Sequence, residues 1–237
     1  RFMSLHCHYP NRDVNSFVDR VEKMIDIYEK VNYDGYPYYI DIGGGFGGKI
    51  DDFIKTQLMF NVGEYSDYAD LITSFLINKF KKSENNPTLL LEPGTALIAD
   101  TMQFICKVID IKKIRNRYIA ITSGSKINYH SRSSKINLPI IICGDNKNDK
   151  TYYESIDISG YTCMEDDYIY KGYAGNLAIG DFIIVNNVGS YSIVFKPPFI
   201  NPNVPIISYL NDKFYMVKEA EDFEYIFKTY KKEWSSL

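Results

Sequence analysis

Residues 38–46 have the sequence Tyr-Tyr-Ile-Asp-Ile-Gly-Gly-Gly-Phe, in which a strand-like segment runs into three consecutive glycines. Glycine is unfavourable inside a strand, and it is typical of positions where φ is positive or where another group approaches the backbone closely. Gly43–Gly45 therefore predict a row of N–H groups at the carboxyl end of a strand, where α/β folds bind anions and above all phosphate. A flexible turn is the alternative interpretation of such a run taken by itself.

The first hundred residues alternate between strand patterns and amphipathic helix patterns. In the first helix pattern Phe17 and Val21 lie on the apolar face, while Arg20 lies with other charged residues on the polar face. Such alternation predicts parallel β/α units whose strands end on one side. Three units are too few to close an eight-stranded barrel. Either the sheet is small and open, or residues 1–101 are the C-terminal half of a β/α barrel and a segment preceding them is missing; the abrupt start on a strand favours the second interpretation. The strand patterns cover residues 2–8, 38–42 and 88–91, and the second helix pattern covers 65–82.

From Met102 onward the pattern changes to short apolar or alternating segments separated by turn residues, which predicts an all-β domain over residues 102–237. A helix is predicted over 219–234. The predicted fold class is thus α/β plus all-β, with a partial TIM-type barrel followed by a β-barrel or sandwich and a C-terminal helix. The predicted strands are 103–111, 118–122, 139–143, 152–158, 181–186 and 206–209, and the predicted turns are 144–147, 172–176 and 201–203.

Composition excludes several classes of partner. There are 27 basic and 30 acidic residues, a net charge of −3, and no basic face is evident, so nucleic acid is not expected as a partner. No apolar run approaches the length of a membrane span, so no membrane is expected either. The four cysteines are widely spaced, which predicts neither a zinc site nor a disulfide framework and favours a reducing cytoplasm. No metal site is predicted.

Six short motifs occur in an order and spacing that resemble the fold-type III pyridoxal-phosphate decarboxylases, the ornithine, diaminopimelate and arginine decarboxylase group. The resemblance implies an alanine-racemase-like β/α barrel followed by an all-β domain, pyridoxal 5'-phosphate as cofactor, an amino acid as substrate, and a homodimer with shared active sites. The motifs are Leu5-His-Cys-His8, Asp41-Ile-Gly-Gly-Gly-Phe46, Glu92-Pro-Gly94, Cys163 with Asp167, Gly180-Asp181, and Gly189-Ser-Tyr191 with Phe199.

By this resemblance the first domain would bind the cofactor. Gly43–Gly45 would hold its phosphate, Glu92 would keep the pyridine nitrogen protonated, and His8 would stack on the ring and take part in catalysis. The segment Pro93-Gly94-Thr95 would complete the phosphate region. The alternatives are a strand-end ion pair for Glu92 and a packed core residue for His8, while His6 is expected in the core.

The all-β domain would complete the site. Tyr191 would donate a hydrogen bond to the phosphate, and Phe199 would shape the substrate pocket. Cys163 would act across the dimer interface, returning a proton to the carbanion, while Asp167 would bind the substrate amine. A buried thiol and a solvated acidic loop are the alternatives for these two residues. His130 follows Tyr129 where ornithine-type enzymes carry an aspartate, which makes it a candidate substrate ligand.

Several departures from the family pattern bear on activity. No segment matches the lysine that carries the cofactor as a Schiff base, so this chain resembles a C-terminal portion and is expected to be inactive by itself. Thr95 stands where the family usually has arginine, Pro10 where it has a Gly-Ser turn, and Met164 where diaminopimelate enzymes have glutamate. An atypical amino acid is therefore expected as substrate. The alternative is a non-catalytic regulatory or binding relative, as the antizyme inhibitors are within this family.

Overall fold

The chain divides into two compact units, Arg1–Met102 and Gln103–Leu237. The computed structural model describes residues 3–32, 37–48, 50–81, 86–129, 136–144 and 150–231. Among these residues, no helix has the length and apolar character needed to span a membrane.

The first unit contains a three-stranded parallel sheet with its strands in sequence order. Its register places His6 beside Asp41 and Asp41 beside Leu90, so all three strands end at the same edge. The predicted parallel β/α units are confirmed. The elements are β1 (Ser4–His6), α1 (Ser16–Val31), β2 (Tyr39–Asp41), α2 (Asp52–Lys55), α3 (Tyr65–Phe80), β3 (Thr88–Leu90) and α4 (Gly94–Ile98), followed by a 3₁₀ turn at 99–101.

The core of this unit lies between the sheet and the helices α1 and α3. Phe17 of α1 is fully buried, and its ring centroid lies 4.8 Å from that of Phe46 and 5.0 Å from that of Tyr68. Leu5 and Cys7 pack against the same cluster. Because side chains alternate along a strand, the histidines that flank Cys7 lie on the opposite face of the sheet.

The second unit is built from a six-stranded sheet, a hairpin and a short helix. The elements are β4 (Phe104–Ile114), β5 (Arg117–Thr122), a 3₁₀ turn at 126–128, β6 (Ile140–Cys143), β7 (Thr151–Ser159), β8 (Tyr168–Leu177), β9 (Phe182–Val185), β10 (Ile206–Leu210), β11 (Lys213–Lys218) and α5 (Phe223–Phe227). The order of the strands in the sheet is β6-β9-β4-β5-β7-β8, and all neighbours are antiparallel except β5 and β7, which are parallel. The strands β10 and β11 form the hairpin, which with α5 completes the all-β unit that the sequence predicts.

Two sequence predictions in this unit are wrong. Residues 172–176 form no turn but lie inside β8, where Gly172 and Gly175 have positive φ values of 67° and 155° and the pairing with β7 is irregular. Glycines here mark bulges in a long strand. The helix predicted over 219–234 starts too early, because α5 begins only after Asp222, whose side chain caps it, and residues 232–234 lie outside the described residues. Glu221, just before the cap, is held by the side chain of Asn203 instead.

Candidate functional site

The ends of the three parallel strands are held together by backbone hydrogen bonds that continue beyond the strands. The N–H of Cys7 donates to the carbonyl of Asp41 (2.9 Å), that of Ile42 to Leu90 (3.3 Å), and that of Glu92 to Gly43 (3.0 Å). These bonds bring His8, the glycine run and Glu92, which lie far apart in sequence, to one edge of the sheet. The predicted phosphate loop and two predicted catalytic residues thus share one location.

The glycine run is wedged between the ends of β1 and β3. A Cβ atom on Gly43 would lie 2.4 Å from the carbonyl oxygen of Cys7, and one on Gly44 would lie 2.4 Å from that of Glu92. Gly43 and Gly45 also have positive φ values, 69° and 96°. Gly43 is subject to both constraints, which only glycine satisfies. The close approach predicted from the sequence is therefore present, and the run is not an unconstrained turn.

The N–H groups of this run differ in what they bind. The N–H of Gly43 donates to Asp41 Oδ1 (2.9 Å), and that of Gly44 makes a long bond to His8 Nδ1 (3.3 Å). The N–H of Gly45 has no hydrogen-bond partner among the residues that the structure describes. The predicted row of three free donors is therefore reduced to Gly45, with Gly44 only weakly engaged.

Beneath the loop lies Arg20 of α1, which the sequence wrongly places on the polar face of that helix. The residue has no exposed surface. Its Nη1 donates to the carbonyl of Gly44 (2.7 Å) and, at 3.4 Å, to that of Ile42, while its Nη2 donates to the carbonyl of Asn11. The guanidinium carbon lies 3.9 Å from the centre of the Phe17 ring.

Arg20 has two consequences for the loop. It binds the carbonyl side of Gly44, which holds the orientation of the peptide groups, and it places a positive charge behind Gly45, whose hypothetical Cβ would lie 3.5 Å from Nη2. Burial lowers the pKa of the Arg20 guanidinium below its usual range, and nearby groups such as Asp13 offset part of this shift by electrostatic attraction. A signal for its burial existed in the sequence, since Arg20 stands three residues after Phe17, at the border of the apolar stripe.

Glu92 faces both histidines of β1 and its extension. Its Oε2 lies 3.4 Å from His6 Nε2 and 3.9 Å from His8 Nδ1, and all three side chains are about half exposed. The expectation that His6 packs in the core is wrong, because it lies on the open face beside Glu92. The strand-end ion pair considered for Glu92 is compatible with these distances.

The segment after Glu92 turns into α4. The N–H of Gly94 donates back to the carbonyl of Glu92 (2.9 Å). Apart from its chain neighbours, no atom of the described residues lies within 4 Å of the position that a Cβ on Gly94 would occupy. Packing therefore does not require glycine at this position. Pro93 precedes the helix and Thr95 lies partly exposed in its first turn; their predicted cofactor contacts stay predictions.

In the second unit Asp167 is buried, with 2% of its surface exposed, and it organises the loop that follows β7. Its Oδ1 accepts from Ser125 Oγ (2.8 Å) and Lys126 N (2.9 Å), and its Oδ2 accepts from the N–H (3.0 Å) and hydroxyl (2.6 Å) of Thr162. Cys163, next to Thr162, is exposed. Neither alternative considered above holds, because the thiol of Cys163 is accessible and the carboxylate of Asp167 is buried.

The remaining candidates of this unit lie on its surface. Tyr191 is exposed and has a φ of 65°, a left-handed conformation that is unfavourable for a tyrosine and is found preferentially at functional sites. Phe199 is exposed beside its bridge to Asn201. Ser192 Oγ donates to the carbonyl of Tyr129 (3.1 Å), which ties the Tyr191 loop to the residue before His130. His130 itself lies outside the described residues.

Comparison with known proteins gives these features a context. Residues 3–99 match the family described as "Pyridoxal-dependent decarboxylase, pyridoxal binding domain". The chain is 27% identical over 198 residues to diaminopimelate decarboxylase of Methanocaldococcus jannaschii (81% of this chain, 42% of the relative), and 24% identical over 226 residues to the enzyme of that name from Archaeoglobus fulgidus (93% and 52%).

A solved structure supports the same fold. The crystal structure of Helicobacter pylori diaminopimelate decarboxylase complexed with L-lysine superimposes with a TM-score of 0.74 at 21% identity and covers 95% of this chain and 54% of that one. This confirms the predicted fold class, a partial β/α barrel followed by an all-β domain. The chain spans about half the length of the curated relatives it matches. The match of residues 3–99 to that pyridoxal-binding domain, the relatives and the fold all agree with the resemblance to the fold-type III decarboxylases, whose cofactor is pyridoxal 5'-phosphate.

Proposed function

We propose that the full-length protein containing this chain decarboxylates an α-amino acid with pyridoxal 5'-phosphate. The observation that carries the proposal is the convergence of a wedged glycine run, a carboxylate and a histidine at one sheet edge. When bound, the cofactor supplies an electron sink for the carbanion left by the departing CO₂. Residues 1–101 would hold the cofactor, and residues 102–237 would contribute the thiol and the substrate contacts.

The glycine run would offer a phosphate group a backbone donor and a nearby positive charge. The N–H of Gly45 is the available donor, and Arg20 supplies positive charge from behind the loop. A dianionic phosphate is stabilised by such a combination of backbone donors and a nearby cation. In this arrangement Arg20 would supply part of the charge that the family obtains from the arginine replaced here by Thr95.

Glu92 and His8 would act on the cofactor ring. An ionised Glu92 beside the pyridine nitrogen would hold a proton on that atom, which favours electron withdrawal into the ring. His8 would contact the ring, and the bond from the Gly44 N–H to its Nδ1 would orient the imidazole. The half-exposed position of both side chains leaves room on this face of the sheet for a ring to lie against them.

Cys163 would serve the final proton transfer. Its thiol is accessible, and the loop that carries it is fixed by the contacts of Asp167 to Thr162. The Sγ–H would return a proton to the carbon atom that lost CO₂. In a homodimer with shared active sites, this thiol would reach the partner's cofactor. Met164 in place of the glutamate of diaminopimelate enzymes favours a different amino acid as substrate.

Cofactor binding is tested first with pyridoxamine 5'-phosphate, which has the ring and phosphate but no aldehyde, so it forms no imines with surface lysines. Equilibrium dialysis should find one molecule bound per chain. Gly44→Ala should weaken binding at least about tenfold because its Cβ has no space, and Thr73→Ala, on the exposed surface of α3, should not. Gly45→Ala, strained but without a severe clash, tests the same loop if Gly44→Ala does not fold.

Activity is then tested as CO₂ release by the full-length protein from a panel of amino acids that includes diaminopimelate, ornithine and arginine. Glu92→Gln should keep the fold and lose most turnover, since an amide cannot hold the ring proton by charge. Cofactor binding without CO₂ release from any member would favour the alternative, a non-catalytic relative. This alternative is supported by Asp167, because its carboxylate already accepts hydrogen bonds from the protein and is not free to bind a substrate amine.

A further inference from the structure

His6, His8 and Glu92 form a cluster of potential metal ligands on the open face of the first sheet. One side-chain donor atom from each lies within 4.8 Å of the others. The spacing of the cysteines predicts no metal site, whereas these three ligands come from two strand ends that are more than eighty residues apart.

The geometry of the sheet explains why the three side chains meet. His6 and His8 are separated by one residue, so they project from the same face of β1 and its extension. Glu92 lies beyond the end of β3, on the far side of the central strand. Between them stands the glycine run, and a Cβ on Gly43 would lie 3.0 Å from His8 Nδ1. Because the glycines have no side chains, they leave the space in which the carboxylate of Glu92 approaches the imidazoles.

The distances suit a transition-metal ion. Donors bound tetrahedrally at about 2.1 Å from a zinc ion lie roughly 3.4 Å apart. His6 Nε2 and Glu92 Oε2 are already separated by 3.4 Å, and His8 Nδ1 is 3.9 Å from the same oxygen. Because the three donor atoms lie within 4.8 Å of one another, the half-exposed imidazole of His8 must rotate toward the ion to complete the three-ligand set.

The chemistry of the donors agrees with these distances. Because the N–H of Gly44 donates to His8 Nδ1, that nitrogen is an acceptor, and its lone pair can bind an ion once this bond is released. The bond is long, 3.3 Å, so little is lost when an ion replaces it. Two imidazoles and one carboxylate are a set that binds zinc and its neighbours in the first transition series, with the remaining position open to water.

We propose that His6, His8 and Glu92 bind one divalent transition-metal ion of the zinc and cobalt class. The site does not depend on the proposed cofactor chemistry. If that chemistry is as proposed, however, the metal ion and the cofactor exclude each other, because Glu92 and His8 belong to both binding sites. The metal-bound protein would then be unable to take up the cofactor.

The metal alone is the probe. Untagged protein, freed of metal with a chelator, is titrated with Co²⁺ while the visible absorption of tetrahedral cobalt is recorded, and Zn²⁺ is then added to displace it. One ion should bind per chain. His6→Asn and Glu92→Gln should each weaken binding at least about tenfold, since loss of even an outer-shell partner typically costs that much. Cys143→Ser, which removes an exposed thiol, should change nothing.

Dialysis against pyridoxamine 5'-phosphate separates the two sites. His6→Asn should lose metal binding but keep binding of the phosphate compound, and saturating amounts of that compound should raise the apparent Kd for Co²⁺. Circular dichroism confirms that each variant is folded. The site is refuted if His6→Asn binds Co²⁺ as tightly as the parent or if Cys143→Ser abolishes binding, and exclusion is refuted if both ligands bind together.

Discussion

Replacing Arg20 with methionine tests whether a buried cation holds the glycine loop in place. Methionine keeps an unbranched chain of similar length that can still lie against the Phe17 ring. It removes the donors to the carbonyls of Gly44 and Asn11 and the longer bond to Ile42. The change therefore separates hydrogen bonding from packing.

The expected loss of stability follows from the acceptors left behind. A buried carbonyl without a donor costs about 1–3 kcal/mol, and hydrogen bonds to charged groups lie at the upper end of the scale. Gly44 is buried and loses its 2.7 Å bond, and Asn11 is more accessible and loses another. Together they give about 3–5 kcal/mol, reduced because the parent must desolvate the guanidinium, so we expect about 3 kcal/mol.

The assay is urea unfolding followed by far-UV circular dichroism, in which the helices α1 and α3 report on the first unit. With a slope of about 1–3 kcal/mol per molar urea, a loss of about 3 kcal/mol moves the midpoint by about 1–3 M. Arg117→Met is the matched control, because Arg117 is exposed and its partner Asp157 keeps a second hydrogen bond, from the N–H of Gly172, so its midpoint should move much less. Equal midpoints for the two variants would refute the structural role assigned to Arg20.

Three further predictions concern the second unit and the assembly. Asp167→Asn should destabilise the protein by about 2 kcal/mol or more, because the amide turns donors toward the groups of Thr162; lost turnover at unchanged urea midpoint would instead support the predicted substrate role. Burial raises the pKa of Cys106 to about 11, so in the folded protein this thiol should not react with iodoacetamide at pH 9, whereas exposed Cys163 should be alkylated. Unfolding at the same pH should make Cys106 reactive, and mass spectrometry of the peptides measures which cysteine is alkylated. Two full-length variants, Cys163→Ala and Gly44→Val, are mixed and refolded together, and each mixed dimer should regain up to half of the normal activity, since one of its composite sites receives both intact halves. Background activity in confirmed mixed dimers would mean that each site belongs to one chain.

Much of the fold of the first unit could be predicted from local patterns. The apolar spacing of α1 and the strand residues before Gly43 depend on neighbours close in sequence, and the parallel order follows from the alternation itself. What patterns could not supply is the set of contacts between strand ends. That Glu92 reaches His6 depends on an empty space above the glycines, which only the assembled sheet defines.

The second unit shows why glycines alone do not identify turns. Residues 172–176 contain two glycines among polar neighbours, the composition typical of a turn. In the structure the N–H of Gly172 donates to Asp157 Oδ1 across the pair of strands, so the glycine relieves a bulge within β8. Telling a bulge from a turn requires knowing that a partner strand lies opposite, and that partner is specified by residues some fifteen positions away.

Asp167 and Cys163 show that a motif does not by itself specify what each of its residues does. The resemblance implies that both serve one site, and in this fold the carboxylate closes a loop while the thiol is exposed. A buried carboxylate with four donors is favourable because each bond offsets part of its desolvation. The same contacts fix the loop that presents Cys163, so Asp167 can matter for proton transfer without touching a substrate, and stability measured beside turnover in Asp167→Asn distinguishes the two.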